Sequence, residues 1–192
     1  MLLIDELSES GFISEHQPFS KTSRDSIYKL SDEYSLFYIK FMDGSKAFGE
    51  GTWQSKAVSP SWKSWSGLAF ENLALKHVAQ IKKALGISGV YTEAAAFAFT
   101  GNKGETGFQI DLVLDRKDQT INLFEFKFYN AAFSIDKSEA AALRERIETF
   151  RKVSKTSKHI FLSFLTTFGV KMNENSLGLI DNNLEASLLF EP

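Results

Sequence analysis

The run Leu123-Phe124-Glu125-Phe126-Lys127-Phe128 constrains this chain more than any other stretch. Side chains alternate across a β-strand. Phe124, Phe126 and Phe128 therefore share one face, which belongs in a core, and Glu125 and Lys127 share the other. An acid and a base side by side on a central strand must be paired or must coordinate a cation, because ionised groups avoid low-dielectric surroundings. The preceding run, Gln109 to Leu114, alternates too: Ile110, Leu112 and Leu114 are expected on one side, and Gln109, Asp111 and Val113 on the other. A hairpin centred on Asp118 sets Asp111 opposite Glu125, a distance at which two carboxylates repel and one is driven to take a proton. A divalent cation removes that conflict, and carboxylate-rich oxygen sites suit Mg²⁺ or Mn²⁺.

The flanking pattern places this pair in an α/β domain. Phe70, Leu73, Ala74, Val78, Ile81 and Leu85 recur at helical spacing, with Ser66 as the expected N-cap and Gly86 as the stop. Strands are expected at 90–100, 108–115, 120–128 and 160–167. A helix is expected at 137–153, introduced by Asp136 and Glu139 at capping-box spacing. A last hairpin is expected around Asp181-Asn182-Asn183. Upstream, Leu2 to Leu7 reads as a helix end stopped by Gly11, residues 12–30 as a hairpin, and Ser31 or Asp32 as the cap of a helix through Phe41. The organisation is thus 1–50, a linker at 51–65 carrying Trp53, Trp62 and Trp65, and a main domain at 66–192. The tryptophans are expected to anchor that linker.

Composition narrows the chemistry. No cysteine is present, which excludes disulfides, thiolate catalysis and Cys-based zinc sites, and three histidines make a multi-His centre improbable. No basic stretch followed by an apolar run opens the chain, and no apolar segment approaches the roughly 20 residues that cross a bilayer. The expectation is a cytoplasmic protein without a membrane partner. Net charge is −2, a balance that counts against tight duplex binding by charge alone. Arg144, Arg146, Arg151, Lys152, Lys155 and Lys158 cluster in and after the second long helix; a solvated face partnered by Glu145 and Glu148 is the plainer reading, a phosphate-binding face the sharper one. His77 reads as a packed histidine.

The order Glu71, Asp111, Glu125-x-Lys127 resembles the PD-(D/E)xK, restriction-endonuclease-like superfamily. The match extends to Ser10-Gly11-Phe12-Ile13, Asp32 to Tyr38, Trp65 to Glu71 and Gly107 to Leu112, which resemble the C-terminal part of prokaryotic AAA-type ATPases. The resemblance implies an αβββαβ core with a mixed sheet flanked by helices, preceded by a partial winged-helix segment whose wing is residues 12–30. It implies Asp111 and Glu125 as metal ligands, Glu71 as a third acid at the metal, and Lys127 as the catalytic lysine of a nuclease acting on nucleic acid, DNA first. Gln109, Arg144, Arg151 and Lys155 become candidate nucleic-acid contacts. Ile110 stands where the superfamily name has proline. Gly101 to Gly107 lacks the Gly-Lys-Ser/Thr ending of a phosphate-binding loop, so no ATPase activity is expected; an ATPase partner is. The alternative is an inactive nuclease-like module that binds nucleic acid or such an ATPase.

Overall fold

The computed structural model describes residues 2–19, 26–46, 49–101 and 106–191. The expected polar loop at 20–25 and residues 102–105 of the glycine-rich turn lie outside them. The chain is a mixed α/β protein built on one five-stranded sheet flanked by helices. In order it forms α1 (Leu2–Glu9), β1 (Ile13–His16), β2 (Ile27–Leu30), α2 (Glu33–Phe37) running into a π-helical turn (Tyr38–Met42), α3 (Thr52–Ala57), α4 (Pro60–Lys76) and α5 (Val78–Ala84). Then follow β3 (Thr92–Phe99), β4 (Phe108–Arg116), β5 (Thr120–Lys127), β6 (Phe133–Ser134), α6 (Lys137–Ser154), β7 (His159–Thr166), β8 (Val170–Lys171), β9 (Asn182–Glu185) and a 3₁₀ turn (Ala186–Phe190).

The sheet order is β3-β4-β5-β7-β9. The first two pairings are antiparallel and the last two parallel. β5 sits in the middle and is buried along all but its last residue. Its even residues Phe124 and Phe126 pack with Leu112 and Leu114 against Phe70, Ala74 and Ile81 of α4 and α5. The odd residues Ile121 and Leu123 pack with Val113 against Phe150 of α6. Leu143 and Ala140 of α6 close over Leu162 and Phe164 of β7.

One irregularity matters for the site. β3 and β4 pair Ala95 with Val113 but Phe97 with Ile110, so Ala96 alone faces Asp111 and Leu112. This β-bulge shifts the alternation by one residue. Ile110 therefore joins Val113 on the α6 side rather than sharing the face of Leu112 and Leu114, against the strict alternation expected from sequence. The outer edge of Ala96 is also occupied. Its N–H donates to the Gln17 carbonyl at 2.9 Å, and its carbonyl accepts from the Phe19 N–H at 2.7 Å.

Caps explain several boundaries. Asp32 accepts from the Ser35 N–H and Asp136 from the Glu139 N–H, as their positions predict. Gly11 turns with φ +79°, a conformation that favours glycine. Ser66 does not cap the first long helix. It is buried inside α4 and donates to the Lys63 carbonyl, while Ser59 caps four turns' worth of chain starting at Pro60. Much of the segment expected as linker is therefore helical. Trp53, Trp62 and Trp65 do anchor it, packing ring against ring with Phe37 and Phe41. His77 is a packed residue at the α4–α5 break, hydrogen-bonded to the Leu73 carbonyl. Among the described residues no hairpin forms around Asp181-Asn182-Asn183. Asn182–Glu185 adds parallel to β7 and the backbone then winds into the 3₁₀ turn, because Leu188 and Leu189 are needed beneath α5.

Phe150 joins the layers: it is fully buried and meets Phe97 of β3 and Phe19 of the N-terminal segment, with ring centroids 4.8 and 5.2 Å away. Phe150→Ala is expected to destabilise the chain by about 3–5 kcal/mol, read from urea unfolding; a loss below about 1 kcal/mol would show that this junction is not part of the cooperative core.

Candidate functional site

The β4–β5 ladder runs from Asp115 opposite Ile121 to Leu112 opposite Phe124. Continued by one step, the same register sets Asp111 opposite Glu125, as the hairpin centred on Asp118 predicts. The β4–β5 pairing stops at Leu112, and the Asp111 carboxylate beyond it takes a main-chain donor of β5: its Oδ2 accepts from the Phe126 N–H at 2.7 Å. Asp111 opens into a cleft of about 780 Å³ between the β1–β2 hairpin, α4–α5 and β3, shared with His16, Lys29, Glu93 and Asp115. Its carboxyl is pushed up from 3.8 to about 7. Loss of hydration is the largest cause, and the charges of Glu125 and then Glu71 add to it, while the Phe126 N–H and Lys127 pull the other way.

Glu125 is buried on the α6 side of β5. Arg146 Nη1 donates to its Oε1 at 2.8 Å, and Lys127 Nζ to its Oε2 at 3.2 Å. Each oxygen thus carries one cation, which satisfies a carboxylate in such a place. Glu71 lies well inside α4, not in its first turn, because the helix begins at Pro60. It is ion-paired with Lys29 of β2. Asn72 donates to the Leu30 carbonyl at 3.1 Å and Lys76 to the Ser31 carbonyl at 2.9 Å, so the hairpin is fastened along this face of α4.

The four residues singled out from sequence are therefore electrostatic neighbours, and the field of Glu71, Glu125 and Lys127 reaches Asp111. They do not form a ready cage. Among the described residues no group of three His, Asp or Glu side chains is placed to hold a metal ion. Of the four, Asp111 alone is among the residues lining the cleft, where its carboxylate would offer a hard cation one oxygen donor. Its carboxylate is short of positive charge, and among the described residues its one hydrogen-bond donor is the Phe126 N–H. Glu125 is not among the residues lining that cleft; it stands on the α6 side, paired with Arg146 and Lys127.

The basic cluster divides. Arg146 serves Glu125, and Lys158 pairs with Asp115 and donates to the Arg116 carbonyl at 2.8 Å. Arg144, Arg151, Lys152 and Lys155 are exposed on and after α6, and Gln109 is exposed on β4. Sequence reasoning missed Lys29 as the partner of Glu71, and Glu139, whose carboxyl is raised by partial burial and feels Lys127, Glu125 and Arg146. It also missed the role of Arg146, for which a signal existed. Arg146 sits on the apolar stripe of Leu143, Ile147 and Phe150, where an unpaired cation is not tolerated. No protein-family model matches the chain, and no curated protein or solved structure matches it either. No helix among the described residues is long and apolar enough to cross a membrane.

A carboxyl raised on folding keeps its proton longer in the folded chain than in the unfolded one. Its contribution to stability is complete below the unfolded value of 3.8 and is lost as pH climbs through about 7. Asp111→Asn removes that loss. In EDTA the stability gained by the variant is expected to grow by about 2–3 kcal/mol between pH 5 and pH 8, measured by urea unfolding at both values. A gain independent of pH would mean that Asp111 is ordinarily hydrated.

Proposed function

We propose that this chain is a divalent-metal-dependent nuclease domain that hydrolyses phosphodiester bonds of nucleic acid, DNA in the first instance. The observation that carries the reading is the Asp111 carboxylate: desolvated, raised to about 7 by its surroundings and by Glu125 and Glu71, and open to a cleft large enough for substrate. The element order supports it. α4, three antiparallel strands, α6 and a parallel β7 give the αβββαβ succession of a restriction-endonuclease-like core. The helix α1, the β1–β2 hairpin and α2 ahead of it are consistent with a partial winged helix.

In this reading Asp111 and Glu125 would hold Mg²⁺ or Mn²⁺, with Glu71 contributing to the same charge; such an ion would supply Lewis acidity for activating water and polarising the phosphate. Lys127, two residues beyond Glu125 and 28 % exposed, supplies positive charge where negative charge builds on the phosphoryl oxygens. The Phe126 N–H holds one oxygen of Asp111, a residue that lines the cleft. Gln109, Arg144, Arg151 and Lys155 are available to phosphates at the surface.

A second reading has its own observation. Glu71 and Glu125 both stand in ion pairs, with Lys29 and with Arg146 and Lys127. A module that keeps the fold but serves to bind nucleic acid or a separate ATPase would retain those pairs. The two readings part in one experiment. Plasmid and single-stranded DNA are incubated with the protein and Mn²⁺. Cleavage by the wild type and a loss of at least about 100-fold in Asp111→Ala support the nuclease; no metal-dependent cutting of either substrate supports the module.

A further inference from the structure

We infer that the groove between the start of α4 and the segment after β5 is a seat for single-stranded DNA, with a base stacked on Trp62 and Tyr129 and its phosphate on Lys63. The inference rests on the nucleic-acid reading above and names the form of nucleic acid that is taken.

Position, lining and charge lead to it. The groove encloses about 550 Å³, and its walls include Val58, Trp62, Lys63, Phe128, Tyr129 and Asn130. Phe128 to Ala131 leave the carboxyl end of β5, the first of three parallel strands. Ligands of open α/β sheets bind outside that end. Two aromatic side chains are held ready there. Trp62 is braced by Trp65 and Trp53, with ring centroids 4.9 and 5.0 Å away. Tyr129 is 40 % exposed; its ring packs on Phe133 at 5.0 Å, and its N–H donates to Thr167 Oγ1 at 3.0 Å. Every base has a π-face to lay on such a platform, but only an unstacked base of a single strand can present it.

Charge decides between occupants. Among the described residues no carboxylate lines this groove, whereas the cleft beside Asp111 also carries Glu15, Glu93 and Asp115. A phosphate enters that cleft only with a cation, and this groove without one. Lys63 is exposed here, and Ser59, the cap of the 17-residue α4, adds the positive end of the helix dipole. A proline-rich peptide also suits an aromatic groove but makes no use of a lysine. The Lys63 ammonium lies 5.6 Å from the centre of the Tyr129 ring. A cation over an exposed ring contributes less than a stacked base. The base therefore takes that place, and the flexible lysine turns to the phosphate.

The test is fluorescence anisotropy of a labelled thymidylate oligomer of about twelve nucleotides, in EDTA and low salt, with wild type, Tyr129→Phe, Tyr129→Ala and Lys63→Ala. Wild type and Tyr129→Phe are expected to bind alike, and Tyr129→Ala about tenfold more weakly. Lys63→Ala should bind more weakly, with a salt slope smaller by about 0.7. An unlabelled duplex of the same length should compete poorly. Lys63 is exposed on a helix, where alanine is well tolerated, so Lys63→Ala decides the matter should Tyr129→Ala fail to fold. Unchanged affinity in both alanine variants, or a duplex that competes as well as the single strand, overturns the groove. An oligoproline peptide that binds where the oligonucleotide does not overturns it too. A uridylate strand bound more tightly than thymidylate overturns the choice of DNA. Mn²⁺-dependent plasmid cutting without single-strand binding overturns the groove and leaves the nuclease standing. Single-strand binding without cutting supports the groove and overturns the nuclease; neither binding nor cutting overturns both.

Discussion

Two residues facing one at the β3–β4 bulge organise the rest of this molecule. Had the strands stayed in strict register, Asp111 would be an ordinary ladder residue with its side chain normal to the sheet. The extra residue opposite Ala96 falls where the β4–β5 pairing stops, and there the Asp111 carboxylate accepts the Phe126 N–H. The same displacement turns Ile110 toward α6 and leaves Leu112 and Leu114 for α4 and α5. Bulges are frequent where a sheet must aim a side chain that regular pleating would misdirect. Here the aimed group is a carboxylate brought beside two others.

Charge is distributed unevenly around that point. Glu125 is deep in the sheet and carries two cations, and Glu71 carries Lys29. Among the described residues Asp111 has no ion-pair partner, and its carboxyl is raised by burial first and by the charges of Glu125 and Glu71 after it. The protein thus balances two acids internally and leaves the third dependent on a proton or an external ion. That asymmetry is what separates a candidate site from a decorative set of surface ion pairs, in which every charge would be satisfied or hydrated.

The sequence disclosed the elements that rest on local rules. Alternation in 120–128, the helical stripe of α6 and the Asp136 cap all appear where periodicity and capping place them. The β4–β5 register, from Asp115 opposite Ile121 to Leu112 opposite Phe124, followed from the turn at Asp118. What stayed hidden depends on tertiary pairing. No local pattern shows that the ladder slips at Ala96, because Phe108 to Leu112 alternates without a break. Glycine and proline at 44–60 suggested a linker, but the aromatic cluster of Trp53, Trp62 and Trp65 on Phe37 and Phe41 overrides them. The polar residues Asp181 to Asn183 looked like a turn and instead lie in or beside an edge strand, where Asp181 accepts from the Leu162 N–H and Asn183 bonds both polar groups of Val170. Lys29 and Glu71 are separated by 42 residues, beyond the reach of any local spacing rule.

The main-chain bonds that fasten Gln17 and Phe19 to Ala96 have a mechanical meaning. Ala96 is the hinge point of the bulge, so the N-terminal hairpin grips the sheet at the level of Asp111 and from the opposite edge of the same strand. Pulling or rotating that hairpin bears directly on the spacing between β3 and β4. A strain placed on Gln17 or Phe19 is thus carried through Ala96 to the level of Asp111.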